Sequence, residues 1–159
     1  MAADFPKLIE VLCGARVDFV IIGGVAVVAH GYPRSTVDLD VCYARDRGNL
    51  ERLVSAIAPL RPELRGGGPG LPFLFDLRTL KSGLNFTLTT TAGDLDLLGE
   101  VTGVGGFEAV ARDALELALY GHTVKVMDLK VLEQAKRAAG RAKDLIDLAA
   151  LAEIRKRKG

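Results

Sequence analysis

Apolar residues fall at helical spacing from the start of the chain: Phe5, Leu8, Ile9 and Leu12 share one face of a segment from Phe5 to Ala15, with Gly14 near the expected stop. Phe19 to Ile22 is a short apolar, β-branched run, which predicts a buried strand. Val25 to His30 reads as a helix opened by Gly23-Gly24, and Val37 to Tyr43 as a second strand. Asn49 to Ile57 is amphipathic and ends before Pro59 and Pro62. RGGGPGLP, from Arg65 to Pro72, reads as a mobile loop, and Asp76 to Lys81 as one helical turn. Leu84 to Thr91 and Leu95 to Val101 read as strands joined through the tight-turn sequence Thr91-Ala92-Gly93-Asp94. Phe107 to Arg112 looks helical, and Leu115 to Leu119 with Thr123 to Val126 flank Tyr120-Gly121-His122 as a second hairpin. Asp128 reads as the N-cap of a helix through Ala138. Gly140 interrupts, and Ala142 to Lys156 predicts a last helix with Leu145, Leu148, Ala149 and Ala152 inward.

These elements fit one domain over residues 1–159, with a core at about 5–127 and C-terminal helices at about 128–158. A hydrophobic share of 49% is enough for that core. No apolar run approaches the roughly 18 residues of a membrane span, and the N-terminus MAADFPKLIEV does not read as a signal peptide. Cys13 and Cys42 form neither a disulfide framework nor a metal-ligand spacing, so they read as reduced thiols of a cytoplasmic protein, Cys13 in core packing. Residues 130–159 carry nine Lys and Arg against four Asp and Glu, a net +5, and the rest of the chain is net −4. An acidic front with a basic tail predicts separate surfaces for metal and for phosphates, with RKRKG read equally as a solvated helix end.

The chemistry starts at Asp38 and Asp40. Alternate residues of a strand share a face, so the two carboxylates converge while Val37, Leu39 and Val41 face away. Like charges that close destabilise a fold unless a cation sits between them. Hard oxygen ligands of this kind suit Mg²⁺ with substrate phosphates, although D-x-D alone also describes an ordinary exposed strand face. Gly23-Gly24 follows a strand and opens a helix, where backbone N–H groups attract anions and the missing Cβ admits close approach. The motif is neither G-x-G-x-x-G nor a Walker loop. A third acid comes from TTTAGDLDLLGEV: Asp94 and Asp96 share a face, and Asp96, flanked by Leu95 and Leu97, is preferred over the turn-adjacent Asp94.

Gly23-Gly24, a helix, then His30-Gly31, Arg34, Thr36 and Asp38-Leu39-Asp40 resemble the signature of the DNA polymerase β-type nucleotidyltransferase superfamily. The three blocks VIIGGVAVVAHGYPRSTVDLDV, LTTTAGDLDLLGEV and KRAAGRAKDLIDLAAL together resemble the small bacterial AbiEii-like nucleotidyltransferases, in the family's order from about Phe19 to Leu151. The resemblance implies an α+β fold, a mixed sheet flanked by helices with a short C-terminal helical segment. It implies Asp38, Asp40 and Asp96 as catalytic metal ligands for two Mg²⁺ ions, with Mn²⁺ as an alternative. Gly23 and Gly24 would cradle the phosphates of an NTP.

Arg34 then reads either as a charge-assisted fork on a triphosphate or as an exposed turn arginine after Pro33, and Thr36 as a brace of the same loop. Lys136, Arg141 and Lys143 cluster around the helix break, and the resemblance implies that they face the nucleotide, with Asp144 orienting one of them. His30 reads as structural, satisfying helix-terminal carbonyls, and His122 as a turn residue. The implied activity is Mg²⁺-dependent transfer of a nucleoside monophosphate from an NTP to an acceptor hydroxyl, with Asp96 taking the acceptor proton. The acceptor is a tRNA end, a protein or a small molecule, in a toxin-like role with a cognate antitoxin and no membrane partner. The competing expectation is a catalytically silent nucleotide sensor or antitoxin-type partner.

Overall fold

Four aspartates start four helices, each by accepting backbone N–H groups that the first turn leaves unpaired. Asp4 caps α1 (Phe5–Gly14), Asp46 caps α3 (Arg47–Ile57), Asp76 caps α4 (Leu77–Ser82) and Asp128 caps α6 (Leu129–Ala139). The other helices are α2 (Gly23–Ala29), α5 (Phe107–Arg112) and α7 (Ala142–Lys158). Gly140 closes α6 in the left-handed conformation, with φ of 64°, which glycine adopts without a Cβ clash. The computed structural model describes residues 2–67 and 72–158. Among these residues no helix is long and apolar enough to cross a membrane.

The fold is α+β. Its sheet contains β1 (Phe19–Ile22), β2 (Leu39–Tyr43), β3 (Glu63–Leu64), β4 (Asn85–Thr90), β5 (Gly93–Leu98), β8 (Leu115–Leu119) and β9 (His122–Val126), in the order β3-β4-β5-β2-β1-β9-β8. β2 runs parallel to β5 and β1 parallel to β9, and the other neighbours are antiparallel, so the sheet is mixed. A separate short ladder pairs β6 (Glu100–Val101) with β7 (Gly105–Gly106). Ile21, Leu39, Val41, Leu88, Leu95 and Leu97 are buried in one core with Leu8, Ile9 and Leu12 of α1 and Leu50, Leu53 and Ile57 of α3.

Several boundaries differ from the sequence expectation; β5, for one, takes up Gly93 and Asp94, which were expected in the turn. β2 begins at Leu39 rather than Val37: the Val37 carbonyl accepts from Ala3 N instead of joining the sheet, and its side chain is 57% exposed. β5 ends at Leu98 because Gly99 N turns to Leu84 O and the Asn85 side chain, which leaves Glu100–Val101 to a ladder of its own. The loop expected over Arg65 to Pro72 falls partly on residues 68–71, outside the described residues. Its first residue, Arg65, continues the β3–β4 ladder by donating its N–H to Thr87 O at 2.9 Å.

The expected inward face of α7 is corrected. Leu145 and Ile146 are 57% and 64% exposed and Ala149 is exposed, while Asp144, Asp147 and Leu151 are buried. A helix turns about 100° per residue, so moving the buried stripe by one position exchanges leucine for aspartate. The exchange follows the counter-charges: the two carboxylates turn toward Lys136 and, for Asp147, toward Arg34.

Asn49 ties α3 to the sheet. Its fully buried amide accepts from Asp18 N at 2.7 Å and donates to Asp18 O at 3.1 Å and Ala44 O at 2.8 Å, joining the entry of β1 to the exit of β2. Asn49→Ala leaves those backbone groups without partners and is expected to lower unfolding stability by about 3 kcal/mol. Urea denaturation followed by circular dichroism reads that loss.

Candidate functional site

Parallel pairing of β2 with β5 sets Asp40 directly beside Asp96. Both point to the face opposite Leu39, Val41, Leu95 and Leu97, since side chains alternate along each strand. Asp38 sits in the bend just before β2, one position short of the strand expected to carry it. Its carboxylate still converges: one oxygen each from Asp38, Asp40 and Asp96 lies within 4.8 Å of the others. Asp94 lies on the same face at the start of β5, where its carboxylate accepts from the Thr89 hydroxyl at 3.2 Å.

The two glycines make room for this group. Gly23 has φ of 66°, and a Cβ there would overlap the Asp40 carboxylate. A Cβ on Gly24 would collide with the Thr36 hydroxyl. Thr36 Oγ1 in turn donates to Asp38 O at 3.3 Å, bracing the loop that delivers Asp38.

Asp40 carries the electrostatic cost. Burial, then the charges of Asp38 and Asp96, push its pKa up to about 8, against a smaller opposing effect of Lys136. Its Oδ1 is buried without a hydrogen-bond partner. Burial and the charge of Asp96 also raise the pKa of Asp38. The nearest cation is Arg65, which sequence reasoning missed. Its Nη2 donates to Asp96 Oδ1 at 2.6 Å and to Leu88 O at 2.8 Å. Nε lies 3.2 Å from Asp94 and Nη1 3.9 Å from Asp38. Only a two-residue edge strand brings Arg65 here, too short to show a period-2 pattern, so the chain offered no local signal for it.

A cleft of about 300 Å³ opens from Asp40 and Asp96 toward α6, lined also by Gly23, Lys136, Arg141 and Asp144. Lys136 Nζ is 3.3 Å from Asp144 and 3.1 Å from Asp147, and Arg34 Nη1 is 2.5 Å from Asp147. Arg141 forks onto Asp144. Burial alone would raise the Asp144 pKa, but the hydrogen bond from Arg141 and the charge of Lys136 outweigh it and hold the carboxyl below its ordinary value. Lys136 and Arg141 thus share the cleft with Asp40 and Asp96. Lys143 is exposed and does not line it, and Arg34 is a half-buried partner of Asp147 rather than an exposed turn residue. His30 is buried at the end of α2, its Nε2 2.7 Å from Met127 O; it pairs with a carbonyl beyond its own helix. His122 is the first residue of β9. Cys42 is buried and Cys13 half-buried, both as free thiols.

Compared with models of known protein families and with curated proteins, the chain matches none.

The raised Asp40 pKa has a defined consequence for stability. The folded chain holds this proton more tightly than the unfolded chain, whose carboxyl titrates near 3.8. Stability contributed by the protonated form is therefore full below about pH 4 and is lost as pH rises toward 8. In metal-free buffer the thermal midpoint is expected to fall across that window, and Asp40→Asn to flatten the fall. Melting curves of both proteins at half-unit pH steps check the sign; parallel slopes contradict it.

Proposed function

We propose that the protein is a Mg²⁺-dependent nucleotidyltransferase with a polymerase β-like core, transferring a nucleoside monophosphate from an NTP to an acceptor hydroxyl with release of pyrophosphate. The observation that carries this reading is the convergence of Asp38, Asp40 and Asp96 around a buried, unpartnered Asp40 oxygen beside a cation-walled cleft. Three hard oxygen donors, one of them lacking any hydrogen bond, fit a divalent cation such as Mg²⁺, or Mn²⁺ in its place. When bound, Mg²⁺ neutralises triphosphate charge and lowers the pKa of an attacking hydroxyl.

Asp38 and Asp40 would hold the cation that accompanies the triphosphate. Asp96 would complete the acidic set and accept the acceptor proton as its oxygen attacks the α-phosphorus and pyrophosphate departs. Gly23 and Gly24 bring backbone close to that position, and Arg141, which lines the same cleft with a 60% exposed side chain, would offer a phosphate the guanidinium edge that Asp144 leaves open. Lys136 contributes positive charge from within its pair of carboxylates. An RNA such as a tRNA end, a protein and a small molecule remain the acceptor classes. An NTP-dependent enzyme with two free cysteines fits the cytoplasm, and a toxin role with an antitoxin partner is part of the same reading.

A silent nucleotide sensor or antitoxin-type partner is the second reading. The guanidinium of Arg65 on Asp96 favours it, because that contact occupies an oxygen that catalysis would use.

Asp96→Asn separates binding from chemistry. Asn keeps the shape and removes the charge and the proton acceptor, which matter most in the transition state. Transfer of label from the four labelled NTPs into a cell extract with Mg²⁺ is expected to drop about a hundredfold or more. NTP affinity by titration calorimetry is expected to stay close to that of the unsubstituted protein. Full labelling by the variant contradicts the role of Asp96, and NTP binding without labelling by the unsubstituted protein selects the sensor.

A further inference from the structure

The row of residues that crosses the sheet at the acidic site does not end with the acids. Asp40 pairs with Asp96, Asp96 with Thr87, and Arg65 N donates to Thr87 O. The backbone of Arg65 is thus fixed in line with the two carboxylates, and its side chain returns along the row to reach Asp96, Asp94 and Asp38.

The guanidinium satisfies this group poorly. Nη2 carries both hydrogen bonds, while Nε is buried and has none. None of its hydrogen bonds or ion pairs is with Asp40, whose Oδ1 remains without a hydrogen-bond partner. The single charge of Arg65 faces Asp38, Asp94 and Asp96, and the charge of Lys136 offsets the rise of the Asp40 pKa only in part. A divalent cation brings twice the charge and can take the Asp40 oxygen as well. Asp38 and Asp96 would be shared by both, and the guanidinium would then stand beside a second positive charge, so the two forms of compensation oppose each other. Two ligands that compete for one set of groups lower each other's apparent affinity by the fraction of sites already taken.

We propose that Arg65 is an internal counter-ion of the acidic cluster, which occupies Asp96 and Asp38 in the metal-free protein and must leave them when a divalent cation binds. The inference rests on the metal-dependent reading above and adds its regulation: Arg65 holds the cation-free state together and sets the metal concentration at which the site loads. The backbone tether through Thr87 keeps the guanidinium beside the site after displacement, so the contact can re-form when the cation leaves.

The test uses metal alone, without nucleotide. Arg65→Gln removes the charge, and Arg65→Lys keeps the charge but loses the fork. Mg²⁺ titration calorimetry and Mn²⁺ electron paramagnetic resonance at pH 8.5 give affinities for both variants and the unsubstituted protein. The Arg–carboxylate hydrogen bond belongs to a class worth about 1.5–3 kcal/mol. Its removal is therefore expected to tighten metal binding in Arg65→Gln by about tenfold or more, with Arg65→Lys between the two. Melting curves give an independent readout. Without metal, Arg65→Gln is expected to melt below the unsubstituted protein, and saturating Mg²⁺ should narrow the gap. Metal bound by the variant and not by the unsubstituted protein supports the proposal in its strongest form. Equal or weaker metal affinity in both variants overturns it while leaving the metal site intact. No metal binding by any of the three removes the metal-dependent reading, and the proposal with it.

Discussion

Carboxylates on neighbouring strands repel each other, and much of this protein's polar structure compensates that repulsion. Adjacent strands lie about 4.8 Å apart, so in-register acids meet at that distance. At an effective dielectric constant near 20, two full charges so placed cost about 3 kcal/mol. The reverse face bears the load: Leu39, Val41, Leu95 and Leu97 are fully buried, each contributing about 2 kcal/mol against exposure. The sheet can therefore carry the acids while their own face stays electrostatically uncomfortable. The raised Asp40 pKa, its unpartnered oxygen and the reach of Arg65 are three signs of the same stress.

A second charge layer shapes the cleft. Lys136 of α6 holds Asp144 and Asp147 of α7, and Asp147 also holds Arg34 from the loop before β2. This buried set fastens the C-terminal helices to the segment that delivers Asp38. It also explains why the net charge of the tail is a poor guide to its surface: several of its cations are spent on its own acids, as Arg155 is on Glu133. Breaking one member of such a set leaves a buried charge uncompensated, so its energetic role is chiefly to fix one arrangement.

Much of the fold was legible in the chain because local rules govern it. Helical spacing located α1 and α3, the apolar run located β1 with its observed ends, and the capping position of Asp128 located α6. The acidic set was legible because Asp38, Asp40 and Asp96 stand in strand-like context, the first two at alternate positions and the third just after a tight turn. What escaped depends on non-local pairing. The parallel register of β2 with β5 and the arrival of Arg65 through a two-residue strand have no local pattern. The face of α7 was misjudged for a related reason: hydrophobic periodicity ranked Leu145 above Asp144, and the deciding partners, Lys136 and Arg34, come from other elements.

The central claim is that Asp38, Asp40 and Asp96 form one cation site whose metal-free state is held by Arg65. Crystals soaked in Mn²⁺ and measured at a wavelength that reveals its anomalous scattering test both halves at once. The account predicts a single strong anomalous cluster bounded by the three carboxylates, including the Asp40 oxygen that now has no partner, with the Arg65 guanidinium moved off Asp96. An anomalous map without a peak between these residues contradicts the claim, as does a peak there with the 2.6 Å Arg65–Asp96 contact unchanged.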